Sequence, residues 1–313
     1  MKLINTRCPI CNSLADYTVV YSRNFNDFDF NVNVFSARRI PDRSHYQIVK
    51  CNKDSLIRSN PVLEDQDIYE LYRKSRLTYE EEAENLAITY LTVLRPILRK
   101  LPVDAKILEI GCGNGFLLKS LYDMGYKDVY GVEPSLDALE KSDKTVRDKI
   151  VSDVLAPGTF KSGEFSLICF FQLLDHIPDP DDFLKICYNI LLPGGVILAF
   201  NHDAESLQAR LLKEKSPIID IEHTYLFSKE TIKKIFEKNN FLPLKVYSPA
   251  NVISLRHIIW LLPVPKQFKK KLMGFKSEVV RLILKQKIKV KLGNLCLIAK
   301  KSLNDHETRE TFR

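Results

Sequence analysis

Short apolar runs alternate with amphipathic segments through the middle of the chain. The runs at 106–110, 129–132 and 165–171 are rich in Val, Ile, Leu and Phe, which is typical of strands buried in a parallel sheet. Helical spacing or helix end signals mark 114–123, 135–144, 182–192 and 229–239. Further strands are predicted at 149–151, 196–200, 244–247 and 294–299. The pattern predicts an α/β domain in which strands and helices alternate.

A glycine-rich loop follows the first of these strands. Gly111, Gly113 and Gly115 stand where the strand gives way to a helix, so a ligand can approach backbone N–H groups that lack a partner within the helix. Glu133 lies 18 residues beyond Gly115, at the end of the second strand. A carboxylate at about this offset reaches ribose hydroxyls in dinucleotide folds, so we expect a ligand that contains a ribose.

The spacing of the loop distinguishes between ribose ligands. The nicotinamide fingerprint is G-x-G-x-x-G, whereas here Phe116 stands at the place of the third glycine. The string EIGCGNG, from Glu109 to Gly115, instead resembles the E/D-x-G-x-G-x-G signature of class I S-adenosylmethionine (SAM) dependent methyltransferases. The resemblance implies a Rossmann-like fold, with a mostly parallel seven-stranded sheet and helices on both faces. The alternative is a glycine turn in another Rossmann-like domain.

The same resemblance implies a set of residues that bind SAM. After strand three, Asp153 matches the carboxylate that accepts a hydrogen bond from the adenine amino group, and Gln172 would face the amino-acid portion of the cofactor. The complete predicted set is Glu109, Gly111, Gly113, Asn114, Gly115, Glu133, Asp153 and Gln172.

The N-terminal segment contains a C-x-x-C motif at Cys8 and Cys11. Cys51 is the obvious third zinc ligand, and Asp54 occupies the fourth position, with His45 as another candidate. The alternative is a decayed motif that folds without metal. The segment resembles the CPxC…CxxC leader of bacterial sugar and secondary-metabolite methyltransferases, with one ligand substituted. We expect a small cysteine-containing subdomain with structural zinc as its candidate metal.

Candidate catalytic residues follow the fourth and fifth strands. The string QLLDHIPDP resembles the LEHIPDP element of small-molecule methyltransferases, in which His176 would brace the loop or transfer a proton. A histidine is the natural base for a hydroxyl acceptor, and His176, His202 and His223 all fall at the predicted ligand edge. We select His223, with the neighbouring Glu222 or Asp220 tuning it. Two carboxylates near strand four, Asp175 and Asp179, are too few to predict metal-assisted methylation.

Five regions follow from these patterns. A helical segment at 63–101 carries Tyr72 and Tyr79, which could touch the ligand, although packing is the commoner role. A segment rich in titratable groups at 202–228 is where a substrate lid is expected. The predicted regions are the leader (1–62), the helical cap (63–101), the SAM-binding core with its lid (102–255), a basic amphipathic insertion (256–291), and the last strand with a polar tail (292–313).

The charge of the chain is concentrated in the insertion. The 313 residues carry a formal charge of +8, and segment 256–291 holds eleven Lys or Arg against one acid, Glu278. Three interpretations stand: a helical cap with a solvated basic face, a surface attracted to an anionic membrane, or a site for a phosphate-bearing substrate. Seven cysteines spread over the chain argue for reduced thiols. We expect a cytoplasmic protein, with peripheral contact to the inner membrane face as an alternative.

These observations predict transfer of a methyl group from SAM to oxygen or carbon of a small polar acceptor. The resemblance favours a nucleotide-linked sugar, a polysaccharide precursor or a related metabolite. The alternatives are a lipid or quinone methyltransferase at the membrane surface, an RNA methyltransferase, and a SAM-binding subunit without turnover. Nucleic acid is disfavoured, because the sequence after strand four, FQLLDHIP, lacks the Asn/Asp-Pro-Pro-aromatic motif of amino-methylating enzymes.

Overall fold

The N-terminal leader folds into small antiparallel sheets. The computed structural model describes residues 2–25, 44–75, 83–256, 259, 282, 284, 286–291 and 293–303. Within these ranges the leader has the strands β1 (Leu3–Ile4), β2 (Tyr17–Tyr21), β3 (Ile48–Cys51), β4 (Ile57–Ser59) and β5 (Val62–Leu63). β3 pairs with β2 on one side and β4 on the other, and β1 pairs with β5. The leader is therefore a subdomain built on β-structure.

Two helices connect the leader to the core. They are α1 (Asp65–Arg73) and α2 (Ala83–Leu98), and α2 continues through Pro96. Pro96 lies in the last turn, so a break there affects little of the helix. The ring of Tyr90 stacks on Phe171 with centroids 3.9 Å apart, and α2 therefore covers one face of the core. Tyr79 lies outside the described residues.

The core alternates strands and helices as the sequence predicts. Its elements are β6 (Ile107–Ile110), α3 (Phe116–Asp123), β7 (Val129–Val132), α4 (Leu136–Glu140), α5 (Lys144–Arg147), β8 (Ile150–Val151), β9 (Phe165–Phe171), α6 (Pro180–Ile190), β10 (Leu191–His202), α7 (Leu207–Leu212), β11 (Tyr225–Leu226), α8 (Lys229–Lys238), β12 (Phe241–Tyr247), β13 (Asn251–Ser254), β14 (Lys287–Val290) and β15 (Asn294–Lys301).

Seven of these strands form one sheet in the order β8-β7-β6-β9-β10-β15-β12. The five strands from β8 to β10 are parallel, and β15 is antiparallel to both of its neighbours. One apolar core cluster joins α6 and α8 to one sheet face, and a second joins α2 and α3 to the other. The predicted fold class, a mostly parallel seven-stranded sheet with helices on both faces, is confirmed.

Several predicted boundaries shift for local reasons. The helix predicted at 135–144 ends at Glu140, and a separate helix, α5, begins at Lys144, where the side chain of Asp143 accepts the N–H of Thr145 as a cap. The fifth strand begins earlier than predicted, because Leu191 already pairs with Phe165 before an irregularity that precedes Val196. That strand ends at His202, so the segment predicted as the lid begins at residue 203 and not at 202.

The second part of the predicted lid, 218–228, is buried and is tied to the leader. β11 pairs with β4, which makes it the fourth strand of the leader sheet. The N–H of Ser59 donates to the carbonyl oxygen of Thr224 at 2.8 Å, and the Ser59 hydroxyl donates to that of His223 at 2.9 Å. The leader therefore fixes the backbone that carries His223.

The basic insertion can be described only at its ends. β13 and β14 form an antiparallel pair, and the N–H of Val252 donates to the hydroxyl of Thr89 on α2 at 2.9 Å. The amphipathic helices predicted within 256–291 lie mostly outside the described residues. Among the helices that the structure does describe, none has the length and apolar character needed to cross a membrane.

Candidate active site

The glycine loop has the backbone conformation that its sequence predicts. Gly111, Gly113 and Gly115 have φ values of +71°, +56° and +71°, which L side chains rarely adopt. Gly115 is the N-cap of α3. A Cβ added at Gly111 would lie 3.0 Å from Cδ1 of Leu173, in the loop after β9. The glycine loop and the loop after β9 are therefore in direct contact.

Glu133 closes the glycine loop from the end of β7. Its Oε2 accepts the N–H of Gly113 at 2.8 Å, and its Oε1 accepts the N–H of Ser135 at 2.9 Å. These two bonds hold the carboxylate beside the glycine loop. The prediction that Glu133 reaches ribose hydroxyls is compatible with this geometry.

Two further predicted residues lie in or under the loop. No donor among the described residues reaches the buried Oδ1 of Asn114, which leaves this oxygen available to a ligand. Glu109 is only 2% exposed and lies beneath the loop. Burial first, and then the charge of Glu109, raises the pKa values of Cys112 and Cys169, so these thiols remain protonated.

The remaining two predicted cofactor residues follow β8 and β9. Asp153 is exposed, and its Oδ1 accepts the hydroxyl of Tyr69 at 3.2 Å. Gln172 has a φ of +51°, and its N–H donates to the carbonyl oxygen of Phe200 at 2.5 Å. The strand order places the ends of β8 and β9 on either side of the glycine loop, as a ligand lying across it requires.

Asp175 is the centre of a polar cluster beside this loop. It is 1% exposed, and its Oδ2 accepts Nδ1–H of His202 at 2.7 Å while its Oδ1 accepts the amide of Asn201 at 3.2 Å. Burial alone would raise the pKa of Asp175, but the charge of His176 and the hydrogen bond from His202 outweigh it and lower the pKa well below its usual range. Asp175 is therefore an anion at neutral pH.

The structure brings His176 and His223 to the same carboxylate. Nε2 of His176 lies 3.8 Å from Oδ1 of Asp175, and Nε2 of His223 lies 3.9 Å from Oδ2. Burial, followed by the charge of His176, lowers the pKa of His223 to about 3. Since Nδ1 of His223 lies 2.9 Å from the carbonyl oxygen of Ile218, which can only accept, Nδ1 carries the proton of the neutral ring.

Tyr72 and two acids of the predicted lid, Asp220 and Glu222, complete the cluster. We call it the Asp175 cluster; its members are Tyr72, Asp175, His176, His202, Asp220, Glu222 and His223. The hydroxyl of Tyr72 lies 2.7 Å from Nδ1 of His176. Burial, and then the charges of Glu222, Asp175 and Asp220, raise the pKa of Tyr72. Asp220 and Glu222 are 4% and 6% exposed, so both predicted tuning acids are buried, and their charges act on Tyr72.

Two members of this cluster were not recognised from sequence. Asp175 was set aside because it lacked neighbouring carboxylates, but its partners are histidines. Packing was predicted as the commoner role of Tyr72, but its hydroxyl contacts His176. His202 was one of three candidate bases, and it is the one whose Nδ1 bonds directly to Asp175. The available signal was that β9 and β10 are adjacent parallel strands, so their ends meet.

The four predicted zinc ligands also converge. Sγ of Cys11 lies 3.6 Å from Sγ of Cys51, and Oδ2 of Asp54 lies 3.6 Å from Sγ of Cys8. One ligand atom from each of the four residues falls within 4.8 Å of the others. The alternative ligand, His45, instead approaches Glu214, with Nε2 3.2 Å from the carboxylate.

The chain matches a known family over more than half of its length. The sequence profile described as "Methyltransferase domain" covers residues 79–246. Similar solved structures include a SAM-dependent methyltransferase of Archaeoglobus fulgidus, with 18% identity and a TM-score of 0.48 over 71% of this chain and 99% of that chain. A Thermotoga maritima protein described as a possible histamine N-methyltransferase has 18% identity and a TM-score of 0.48, over 72% of this chain and 93% of that chain.

Several similar curated proteins are named ubiquinone biosynthesis O-methyltransferase. The Colwellia psychrerythraea protein is 32% identical over 119 residues, 35% of this chain and 46% of that protein. The Methylococcus capsulatus protein is 30% identical over 115 residues, which are 34% of this chain and 47% of that protein. The Psychrobacter cryohalolentis protein is 29% identical over 99 residues, which are 29% of this chain and 38% of that protein. The chain thus spans less than half of the length of each of these relatives.

Proposed function

Because the chain belongs to the methyltransferase-domain family, we propose that it transfers a methyl group from SAM to a hydroxyl oxygen of a small acceptor. The observation that carries the proposal is the position of the Asp175 cluster. It follows β9 and β10, and the loop after β9 touches the glycine loop through Leu173 and Gly111. A cofactor held by the glycine loop and an acceptor held by the cluster would therefore be neighbours.

The residues of the glycine loop fit SAM. The three glycines leave the start of α3 open to a ligand, the buried Oδ1 of Asn114 lacks a donor among the described residues, and Glu133 places a carboxylate against the loop through the N–H of Gly113. Asp153 and Gln172 would bind the adenine and the amino-acid portion. When bound, SAM supplies a methyl group that is already activated by its sulfonium. The protein must then align the acceptor and remove its proton.

His202 has the geometry of the base. Its Nδ1–H bond to Asp175 leaves Nε2 as the lone-pair nitrogen of the neutral ring, and no described residue bonds to Nε2. The ring is partly exposed, with 22% of the side chain accessible. His202 Nε2 would take the proton of the acceptor hydroxyl as the oxygen gains the methyl group. His176, His223 and Glu222, the catalytic residues chosen from sequence, would line the acceptor site.

The acceptor class is the finer part of the proposal. The relatives named ubiquinone biosynthesis O-methyltransferase support a phenolic hydroxyl of a quinone precursor over the glycosyl acceptor expected from the cysteine leader. A phenol has a pKa of about 10, and an alcohol is far less acidic, so a histidine base suits a phenol better. The leader would hold structural zinc through Cys8, Cys11, Cys51 and Asp54.

The first test is transfer of a labelled methyl group from SAM into a fractionated extract of the source cell. The second test repeats the transfer assay with purified catechols and with purified nucleotide sugars as acceptors. We expect label in a phenolic fraction, and a kcat that is about 10²–10⁴-fold lower for His202→Gln with unchanged SAM affinity. His45→Gln, a change at a buried histidine outside the cluster, is the matched control. SAM binding without transfer to any fraction would reject the enzyme, and label only in nucleotide sugars would reject the phenolic acceptor.

A further inference from the structure

Two imidazoles face one carboxylate across a common gap in the Asp175 cluster. The Nε2 atoms of His176 and His223 lie 3.8 and 3.9 Å from the oxygens of Asp175, and the two ring centroids are 4.7 Å apart. An N–H···O hydrogen bond is about 2.7–3.2 Å long. These contacts are therefore too long for hydrogen bonds, although one ligand atom from each of the three residues falls within 4.8 Å of the others.

The opposite nitrogen of each ring is held in place. Nδ1 of His223 donates to the carbonyl oxygen of Ile218 at 2.9 Å, so the neutral ring presents a lone pair at Nε2. Nδ1 of His176 lies 2.7 Å from the hydroxyl oxygen of Tyr72, which can accept in the same way. Histidines that bind metals are usually oriented by a bond at the second ring nitrogen. Both rings are thus held with Nε2 directed toward Asp175.

We propose that Asp175, His176 and His223 bind a divalent transition-metal ion through two imidazole nitrogens and one carboxylate oxygen. With metal–ligand bonds of about 2.1 Å, ligand atoms lie about 3.3 Å apart. The three ligand atoms lie within 4.8 Å of one another, so metal binding would draw them together by at most about 1.5 Å. Two imidazoles and one carboxylate suit ions such as Mn²⁺, Fe²⁺ or Zn²⁺. Three protein ligands leave positions open for water or for an acceptor oxygen.

The burial of the site favours a bound cation. Asp175 is 1% exposed, and a cation beside a carboxylate gains more Coulomb energy in a buried site than in water. His202 bonds to Asp175 from outside the gap through Nδ1, so its Nε2 remains available for the proton of the acceptor.

The role of the ion in catalysis rests on the proposed function, whereas its binding does not. Bound to the ion, an acceptor hydroxyl would become more acidic, and its proton would pass to His202 as the oxygen gains the methyl group. This step needs no oxidant or reductant.

The test is Mn²⁺ titration of the full chain, freed of metal by a chelator, with free Mn²⁺ followed by electron paramagnetic resonance. Thiolates disfavour Mn²⁺, so the cysteine cluster should not compete. We expect one saturable Mn²⁺ per chain, loss of this binding in Asp175→Asn and His223→Gln, and about 10–100-fold weaker binding in Tyr72→Phe. Circular dichroism and thermal unfolding would establish that each variant is folded.

The control is His45→Gln. His45 is fully buried, its Nδ1 lies 2.7 Å from the carbonyl oxygen of Tyr46, and its Nε2 lies 3.2 Å from Glu214. It resembles His223 in these contacts but lies outside the Asp175 cluster, so Mn²⁺ binding should not change. Absence of saturable binding to the wild type, or equal binding to folded Asp175→Asn and to Tyr72→Phe, would overturn the proposal.

Methyl transfer measured on the same samples separates the two proposals. Transfer by metal-free protein that binds no Mn²⁺ would overturn the metal site and support the methyltransferase. Mn²⁺ binding that depends on Asp175, without transfer to any acceptor, would support the metal site and reject the methyltransferase.

Discussion

Replacing Glu133 by glutamine tests the central feature of the cofactor site. The carboxylate accepts two backbone N–H groups, from Gly113 at 2.8 Å and Ser135 at 2.9 Å. A glutamine has one acceptor oxygen, so one of these N–H groups would face an amide NH₂ instead. Hydrogen bonds to a charged group contribute about 1.5–3 kcal/mol and neutral ones about 1 kcal/mol. Because Glu133 is only partly buried, water can replace part of the loss.

The expected net cost is about 2 kcal/mol in the absence of ligand. With an unfolding entropy of about 2.1 cal/mol/K per residue, the temperature of thermal unfolding should fall by about 3 °C. SAM affinity should fall further, because a glutamine offers the ribose hydroxyls an uncharged amide oxygen in place of a carboxylate. A loss of about 2–3 kcal/mol corresponds to about 30–150-fold weaker binding, measured by isothermal titration calorimetry.

Glu237→Gln is the control for this prediction. Glu237 lies on α8 and pairs with Lys233 at 3.5 Å on the surface, where an ion pair contributes less than about 1 kcal/mol. Unchanged stability and SAM affinity are expected for it. If Glu133→Gln lowered stability but left SAM affinity intact, Glu133 would serve only to hold the loop, and its assignment to the ribose would be wrong.

Three further changes test other parts of the structure. Gly131→Ala should destabilise the protein by about 1–3 kcal/mol in urea unfolding, because the new Cβ would lie 2.6 Å from Sγ of Cys112 and 2.8 Å from Cδ1 of Leu118; an unchanged midpoint would contradict this packing. Cys8→Ser should remove zinc measured by elemental analysis, whereas Asp54→Cys should retain it; zinc-free wild type would refute the site. Ser228→Ala removes a capping box at the start of α8 and should cost about 1 kcal/mol, and equal thermal unfolding temperatures would refute this role.

The strands and the glycine loop were predictable because local chemistry determines them. β7 and β9 begin and end at the predicted residues, 129–132 and 165–171, since each is a short apolar run between polar or glycine-containing segments. The positive φ values of Gly111, Gly113 and Gly115 likewise follow from residue type. The division of helix 135–144 was missed because Asp143 can cap a new helix as well as lie within a longer one.

The Asp175 cluster could be predicted only in part. Adjacent parallel strands bring the ends of β9 and β10 together, so the proximity of Asp175 to His202 follows from the strand order. The position of His223 does not follow from the strand order, because contacts outside the sheet hold it. Its backbone is bound to Ser59, and the N–H of the next residue, Thr224, donates to the carbonyl oxygen of Asp175 at 2.8 Å.

No local pattern in segment 202–228 predicts that β11 joins the leader sheet, since its two residues form a strand only through pairing with β4. The leader therefore contributes to the acceptor side of the site without supplying a predicted catalytic residue. Cys51 ends β3, and β3 pairs with β4, so a metal bound at the cysteine cluster would stabilise the same sheet that carries the lid. The leader and the lid form one structural unit around His223.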